Sequence, residues 1–210
     1  MISQSYYNKY RPKTFKDIKG SKSAEILEIQ IKNNRTTHAY IFAGPPGTGK
    51  TTLARVASAH LLCNDDQEDL KDMVLSDEHP DVYEINCAVN NGVDHIRENV
   101  VQLSRLAPTL GKYKIFILDE AQNCTQKEIV TLMTRVGEFS KCFILADPDQ
   151  SDLAYGKSGG FEKLQSTFSD EESKEKGIYS FHFTEDDIKR SDLVKFIVKK
   201  LKTFSPALRV

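Results

Sequence analysis

The sequence predicts an α/β domain, a mostly parallel five-stranded sheet sandwiched between helices. Two observations carry this. Five short apolar runs are separated by segments with helical spacing, the pattern of parallel strands joined by crossover helices. Two of those runs are apolar at nearly every position, as strands covered on both faces are. The elements follow in order. Tyr40-Ile-Phe-Ala, ending at Gly44, is the first strand and enters a tight turn. Apolar residues over 53–62 recur at helical spacing, with Thr51 and Thr52 opening that helix. Residues 82–87 alternate and form the second strand, and 93–106 form a helix behind the Asn91-Gly92 turn. The runs 114–118 and 141–146 are the continuously apolar strands, with a helix over 127–136 between them. Residues 178–183 are the fifth strand. Thr184 caps a final helix over 185–202, which has acids in its first turn and lysines in its last.

Composition bounds the rest. A chain of 210 residues with 39% hydrophobic and 28% charged residues is one ordinary globular domain, neither disordered nor collagenous. It is long enough to bury a core without a disulfide or metal staple. No apolar run reaches the roughly 18 residues of a membrane span, and the first residues lack the apolar core of a secretory signal. A cytoplasmic protein with no membrane partner is expected. Cys63, Cys87, Cys124 and Cys142 are scattered, with no paired spacing, and read as reduced core residues. A zinc site built from all four is the alternative.

The formal net charge of −1 hides an uneven distribution. Lys9, Arg11, Lys13, Lys16, Lys19 and Lys22 crowd the first stretch. Lys189, Arg190, Lys195, Lys199, Lys200, Lys202 and Arg209 crowd the last, and 65–81 is strongly acidic. Basic ends on one face could meet nucleic-acid phosphates; the plainer reading is solvated helix faces. The charged stretches 64–80 and 166–177 are expected to be irregular.

The first strand ends in Gly44-Pro45-Pro46-Gly47-Thr48-Gly49-Lys50-Thr51, which fits GxxxxGK[ST] at every fixed position, between a strand and a helix. The chemistry needs this spacing. Glycines let backbone N–H groups wrap a polyphosphate, Lys50 offsets charge on the outer phosphates, and the Thr51 hydroxyl can ligate Mg²⁺ at the N-terminus of a helix. The third strand delivers Asp119 and Glu120 to the same edge, Asp119 for the metal and Glu120 for the attacking water. The next strand ends in Asp147-Pro-Asp-Gln150, where Gln150 would sense the γ-phosphate.

These residues resemble two families. Residues 7–120 resemble the ATPase subunits of DNA sliding-clamp loaders, of the AAA+ class. The resemblance runs through Lys9-Tyr-Arg-Pro-Lys-Thr-Phe-Lys-Asp-Ile-Lys-Gly20, His38-Ala-Tyr-Ile-Phe-Ala-Gly-Pro-Pro-Gly-Thr-Gly-Lys-Thr51, His79-Pro-Asp-Val-Tyr-Glu-Ile-Asn86 and Ala107-Pro-Thr-Leu-Gly-Lys-Tyr-Lys114. It implies that Tyr10, Arg11, Pro12 and Ile18 lie against adenine. The cysteine-rich zinc insert of bacterial members is replaced after Cys63 by Asn-Asp-Asp-Gln-Glu, so that zinc is not expected. From Asp119 to about residue 203 the chain instead is similar to PhoH-like P-loop ATPases, through Asp119-Glu-Ala-Gln-Asn123, Asp147-Pro-Asp-Gln-Ser-Asp-Leu153, Ser158-Gly-Gly-Phe161 and Phe183-Thr-Glu-Asp-Asp-Ile-Lys-Arg-Ser-Asp-Leu-Val194. That resemblance implies that Gln122 and Gln150 face the nucleotide, with Arg190, then Arg135, as phosphate-contacting arginines from the same or a neighbouring subunit. The Ser-Arg-Cys finger motif, helical lid and collar of clamp loaders are not expected before Val210.

The combined expectation is a single P-loop NTPase domain over 1–210, with an adenine-contacting segment at 1–36, a nucleotide-binding core at 37–203 and a tail at 204–210. It would hydrolyse ATP with Mg²⁺ in nucleic-acid transactions such as phage or bacterial DNA replication. Its partners would be further copies sharing active sites, DNA or RNA, and replication proteins. Two other readings stand beside this one: an RNA-linked PhoH-like ATPase or helicase, and a nucleotide-binding assembly subunit with little turnover.

Overall fold

A computed structural model describes residues 11–88, 100, 102–135, 137, 139–148 and 160–187. Within them the strands are β1 (Ala39–Ala43), β2 (Val82–Asn86), β3 (Lys114–Asp119), β4 (Ser140–Ala146) and β5 (Ile178–His182). They form a five-stranded sheet in the order β2-β3-β4-β1-β5, and all four pairings are parallel. The register sets Ala43 beside both Ala146 and His182, and Asn86 beside Asp119, so the carboxyl ends of the strands share one edge. Each expected strand is present, with one of its two bounds shifted by a single residue.

Both faces of the sheet are covered, because side chains alternate along each strand. Tyr40, Phe42, Ile115, Ile117, Phe143 and Leu145 face one cluster. They meet α1 (Lys22–Lys32), α2 (Lys50–Leu62) and α3 (Glu68–Leu75) through Leu27, Leu53, Leu61 and Val74. Ile41, Phe116, Leu118 and Ile144 face the other. They meet α4 (Gln126–Arg135) and α5 (Gly160–Thr167) through Ile129, Leu132, Phe161 and Leu164. Phe42 lies at the centre of the first cluster, edge-on to Phe143, Phe181 and Phe183 with ring centroids 5.5–5.7 Å apart. Burying a ring of this size stabilises by about 1.5–3 kcal/mol. Cys63, Cys87, Cys124 and Cys142 are free and buried.

Four helices come as corrections or additions. The stretch 64–80 is not irregular throughout. It contains α3, whose Leu70, Val74 and Leu75 pack on the first cluster while Glu68 and Asp69 sit in the first turn, favoured by the helix dipole. The stretch 166–177 contains α6 (Glu171–Glu175), capped by Asp170 Oδ1 accepting from Ser173 N–H at 2.8 Å and closed by Gly177 at φ 88°. α1 was hidden inside the segment set aside for adenine. Ser21 caps it, Ala24 and Leu27 bury, and Asn34, at φ 54°, turns the chain out. α5 begins at Gly160, where a Cβ would lie 2.7 Å from Gln126 Cα, so only glycine lets α5 approach α4 this closely. Of the helix expected at 93–106, residues 102–104 are helical and most of the remainder lies outside the described residues. After β5, Glu185–Asp187 form a 3-10 turn closed by Thr184 N–H donating to Asp187 Oδ2 at 2.9 Å. The rest of the expected final helix, with Arg190, Lys199, Lys200 and Lys202, lies outside the described residues, as do Tyr10, Gln150 and the tail.

Candidate functional site

The loop from Gly44 to Gly49 joins β1 to α2. It is anchored at its start, where Gly44 N–H donates to Ala146 O at 3.1 Å and Phe183 N–H donates to Ala43 O at 2.8 Å. A Cβ on Gly44 would stand 2.4 Å from Phe183 O, so the loop can lie this close to the end of β5 only with glycine there. Gly47 and Gly49 have φ of 81° and 85°, left-handed values that a side chain would strain. Thr48 Oγ1 donates to Pro45 O at 2.9 Å and tightens the turn over Pro46. Lys50, at the first position of α2, is buried, and its Nζ donates to Gly44 O at 2.7 Å and Pro45 O at 3.0 Å. Burial pushes the ammonium below its ordinary value, while Asp147, Asp119 and Glu120 pull it back.

Thr51 Oγ1 donates to Asp119 Oδ2 at 2.8 Å, tying the start of α2 to the end of β3. Asp119 Oδ1 accepts from Glu120 N–H at 2.9 Å. Glu120 itself has φ 55° and ψ 37°, a left-handed conformation that turns the chain sharply off the strand into the 3-10 turn Ala121–Asn123. Gln122 on that turn donates from Nε2 to Glu120 Oε2 at 2.5 Å and accepts at Oε1 from Asp147 N–H at 3.1 Å.

The donor set fits a magnesium–nucleotide. A threonine hydroxyl and a carboxylate within 2.8 Å of each other are hard oxygen donors of the kind Mg²⁺ takes. The N-cap of α2 is Gly49, which brings no capping side chain. The first-turn N–H groups of Lys50, Thr51 and Thr52 are therefore available to phosphate oxygens beside a lysine.

The structure thus brings Gly44 to Thr52, Asp119, Glu120 and Gln122 to one sheet edge. Ile18 packs against the core cluster that α1 and α2 help to form, and Arg11 and Pro12 are half-buried ahead of it. Two contributors carry no candidate role in the sequence, Asp147, which opens the Asp147-Pro-Asp-Gln150 turn, and His182. Asp147 acts on Lys50 from the end of β4. His182, at the end of β5, bonds Gln165 Nε2 at 3.2 Å and, with Pro45, Asp147 and Phe183, lines a cavity of about 200 Å³ beside the loop. Only the strand order β4-β1-β5 makes them neighbours of the loop.

Sheet order, loop and acidic strand end together define a P-loop α/β domain. The chain belongs to two families that overlap within it: residues 20–138 match the sequence model for DNA polymerase III, delta subunit, and residues 87–202 match that for PhoH-like protein. Among curated proteins it is 37% identical over 139 residues to the DNA polymerase III subunit gamma/tau of Mycoplasma pneumoniae, covering 63% of this chain and 20% of that one. It is 33% identical over 128 residues to the DNA polymerase III subunit tau of Bacillus subtilis, covering 57% of this chain and 23% of that one. It is 33% identical over 141 residues to Protein STICHEL-like 1 of Arabidopsis thaliana, covering 62% and 12%. The chain thus spans less than a quarter of the length of these relatives. Among solved structures, the Thermotoga maritima RuvB Holliday junction branch migration motor aligns with TM-score 0.46 and 14% identity, over 93% of this chain and 54% of that one. A DNA replication initiation factor aligns with TM-score 0.47 and 17% identity, over 93% and 56%. No helix among the described residues is long and apolar enough to cross a membrane.

Proposed function

We propose that this chain is a Mg²⁺-dependent ATPase that hydrolyses ATP to ADP and phosphate in DNA replication. The observation that carries the reading is the 2.8 Å contact of Thr51 with Asp119 beside the buried Lys50. It joins phosphate loop and metal carboxylate across two elements that are 68 residues apart in the chain. The names of the gamma/tau relatives support the replication setting. The whole chain acts as one domain, with 37–203 as its nucleotide-binding core.

Each residue has a task. Lys50 leaves its loop carbonyls for the outer phosphates, and the loop amides from Gly47 to Thr52 hold phosphate oxygens. Thr51 and Asp119 would hold Mg²⁺, which when bound offsets charge on the β- and γ-phosphates. Glu120 orients the attacking water, Gln150 senses the γ-phosphate, and Tyr10, Arg11, Pro12 and Ile18 face the adenine. Positioning and fixed charge supply most of the rate. The protein works as an assembly of its own copies with replication proteins and nucleic acid, and Arg190 completes a neighbour's site.

The test is ATP turnover by the whole chain alone, with single-stranded DNA, with single-stranded RNA and with a sliding clamp. Stimulation by DNA or the clamp, and its loss in Glu120→Gln with ATP binding kept, are expected. Stimulation by RNA alone would move the protein to an RNA-linked role. Binding without turnover in every arm would make it a nucleotide-dependent assembly subunit.

A further inference from the structure

Gln122 is 4% exposed, and both ends of its carboxamide engage the frame of the site. Nε2 donates to Glu120 Oε2 at 2.5 Å, and Oε1 accepts from Asp147 N–H at 3.1 Å. One planar group therefore bridges the end of β3 to the exit of β4, its neighbour in the sheet. Glu120 needs such a hold. Its backbone sits in the left-handed region, at φ 55°, where a non-glycine residue persists only if its surroundings over-determine it. Asp119 Oδ1 takes the Glu120 N–H, and Glu120 O takes the Asn123 N–H at 3.0 Å. Those bonds fix the main chain and leave the direction of the carboxylate open. Among the described residues, Gln122 supplies the hydrogen bond that sets it.

We infer that Gln122 is a positioning residue that aims the Glu120 carboxylate and ties its direction to the β4 exit at Asp147. The inference rests on Glu120 acting on the attacking water. Its consequence is mechanical. Gly44 N–H of the phosphate loop donates to Ala146 O at the end of β4, so a change at the phosphates that moves the β4 exit reaches Glu120 through one carboxamide.

The test uses the whole chain. Gln122→Met keeps the length and most of the volume of the side chain and removes both hydrogen bonds. Its kcat falls by about tenfold or more, with KM and ATP affinity unchanged, since the group acts on the water and not on nucleotide binding. In the nucleotide-free protein the Asp147 amide exchanges hydrogen faster in Gln122→Met and stays protected in Glu120→Gln. The double variant loses no more activity than Glu120→Gln alone, because Gln122 works through Glu120. A methionine variant with wild-type or higher kcat overturns the inference, leaving Gln122 a space-filler or a brake. Unchanged Asp147 exchange overturns the link to β4. Failure of the underlying reading has a different mark, which is wild-type turnover by Glu120→Gln with Gln122 intact.

Discussion

Lys50 shows how one residue carries the charge balance of the site. Its ammonium is buried, so removal from water works against the charged form, and three carboxylates, Asp147, Asp119 and Glu120, work for it. Its bonds to Gly44 O and Pro45 O are ones that phosphate oxygens can replace with stronger, charge-assisted partners. Hydrogen bonds to charged groups contribute about 1.5–3 kcal/mol, and each 1.4 kcal/mol is about tenfold in affinity. Lys50→Ala is therefore expected to weaken ATP binding by about 10- to 100-fold in calorimetry. Unchanged affinity would show that the loop binds phosphate without its lysine. Thr51 is the second point of balance. Its hydroxyl is committed to Asp119, so losing either partner removes the side-chain hydrogen bond that joins the start of α2 to the end of β3.

At the scale of elements, the loop before β3 hangs on one carboxylate. Asp81, fully buried ahead of β2, accepts from the N–H groups of Thr109, Leu110 and Gly111 at 2.6, 2.7 and 2.8 Å. Burial disfavours its charge, but the amides of Gly111, Thr109 and Leu110 outweigh that and hold the carboxyl below its ordinary value of 3.8. His79, beside it, is also buried, which pushes its imidazole below the ordinary 6.5 against the pull of Asp81. The signs agree. A histidine with a lowered folded value loses stability as pH falls from the unfolded value toward the folded one. A carboxylate with a lowered folded value contributes fully above its unfolded value and is lost as pH falls through the folded one. Urea melts should show stability declining below about pH 6.5 and again below about pH 4. Asp81→Asn should cost about 2–4 kcal/mol at neutral pH, since an amide group cannot accept three N–H bonds and keeps one donor facing another. The lower acid step should shrink in that variant. An unaltered melt would mean the loop is held elsewhere. A second joint, Arg55 to Glu84 at 2.7 Å, links α2 to β2 in the same way, and burial raises Glu84 despite the opposing arginine.

At the scale of the whole molecule, the strand ends gather positive and negative groups on one edge. In the proposed reaction, a phosphate loop, a metal carboxylate and a polarising glutamate would leave charge developing on the γ-phosphate only partly offset. An arginine supplied by a neighbour commonly completes it, raising turnover by about 10³-fold or more. Arg190, after the fifth strand, is the residue expected to do so. Glu120→Gln and Arg190→Ala proteins, each inactive alone, should regain ATPase activity when mixed, because some interfaces then pair an intact site with an intact arginine. If both assemble and the mixture stays inactive, Arg190 does not act across subunits.

The strands and the two acid-and-lysine motifs were legible along the chain because their signals are local. Continuous apolar runs mark strands buried on both faces, and glycines at fixed spacing between a strand and a helix mark the GxxxxGK[ST] loop. α3 and α6 were not legible, since dense charge masks the few apolar positions, such as Leu70 and Val74, that anchor α3. α5 was not legible because Gly160 reads as a breaker until α4 is seen to press against it. Residue order alone determined the class of fold, the phosphate loop and the paired acids Asp119 and Glu120. The tertiary structure decided which strand ends become neighbours, and hence that Asp147 bears on Lys50 and that Gln122 bridges Glu120 to β4. Strand order is set by long-range packing, which leaves no periodicity in the sequence, and a carboxamide shared between two strand ends has no local signature at all.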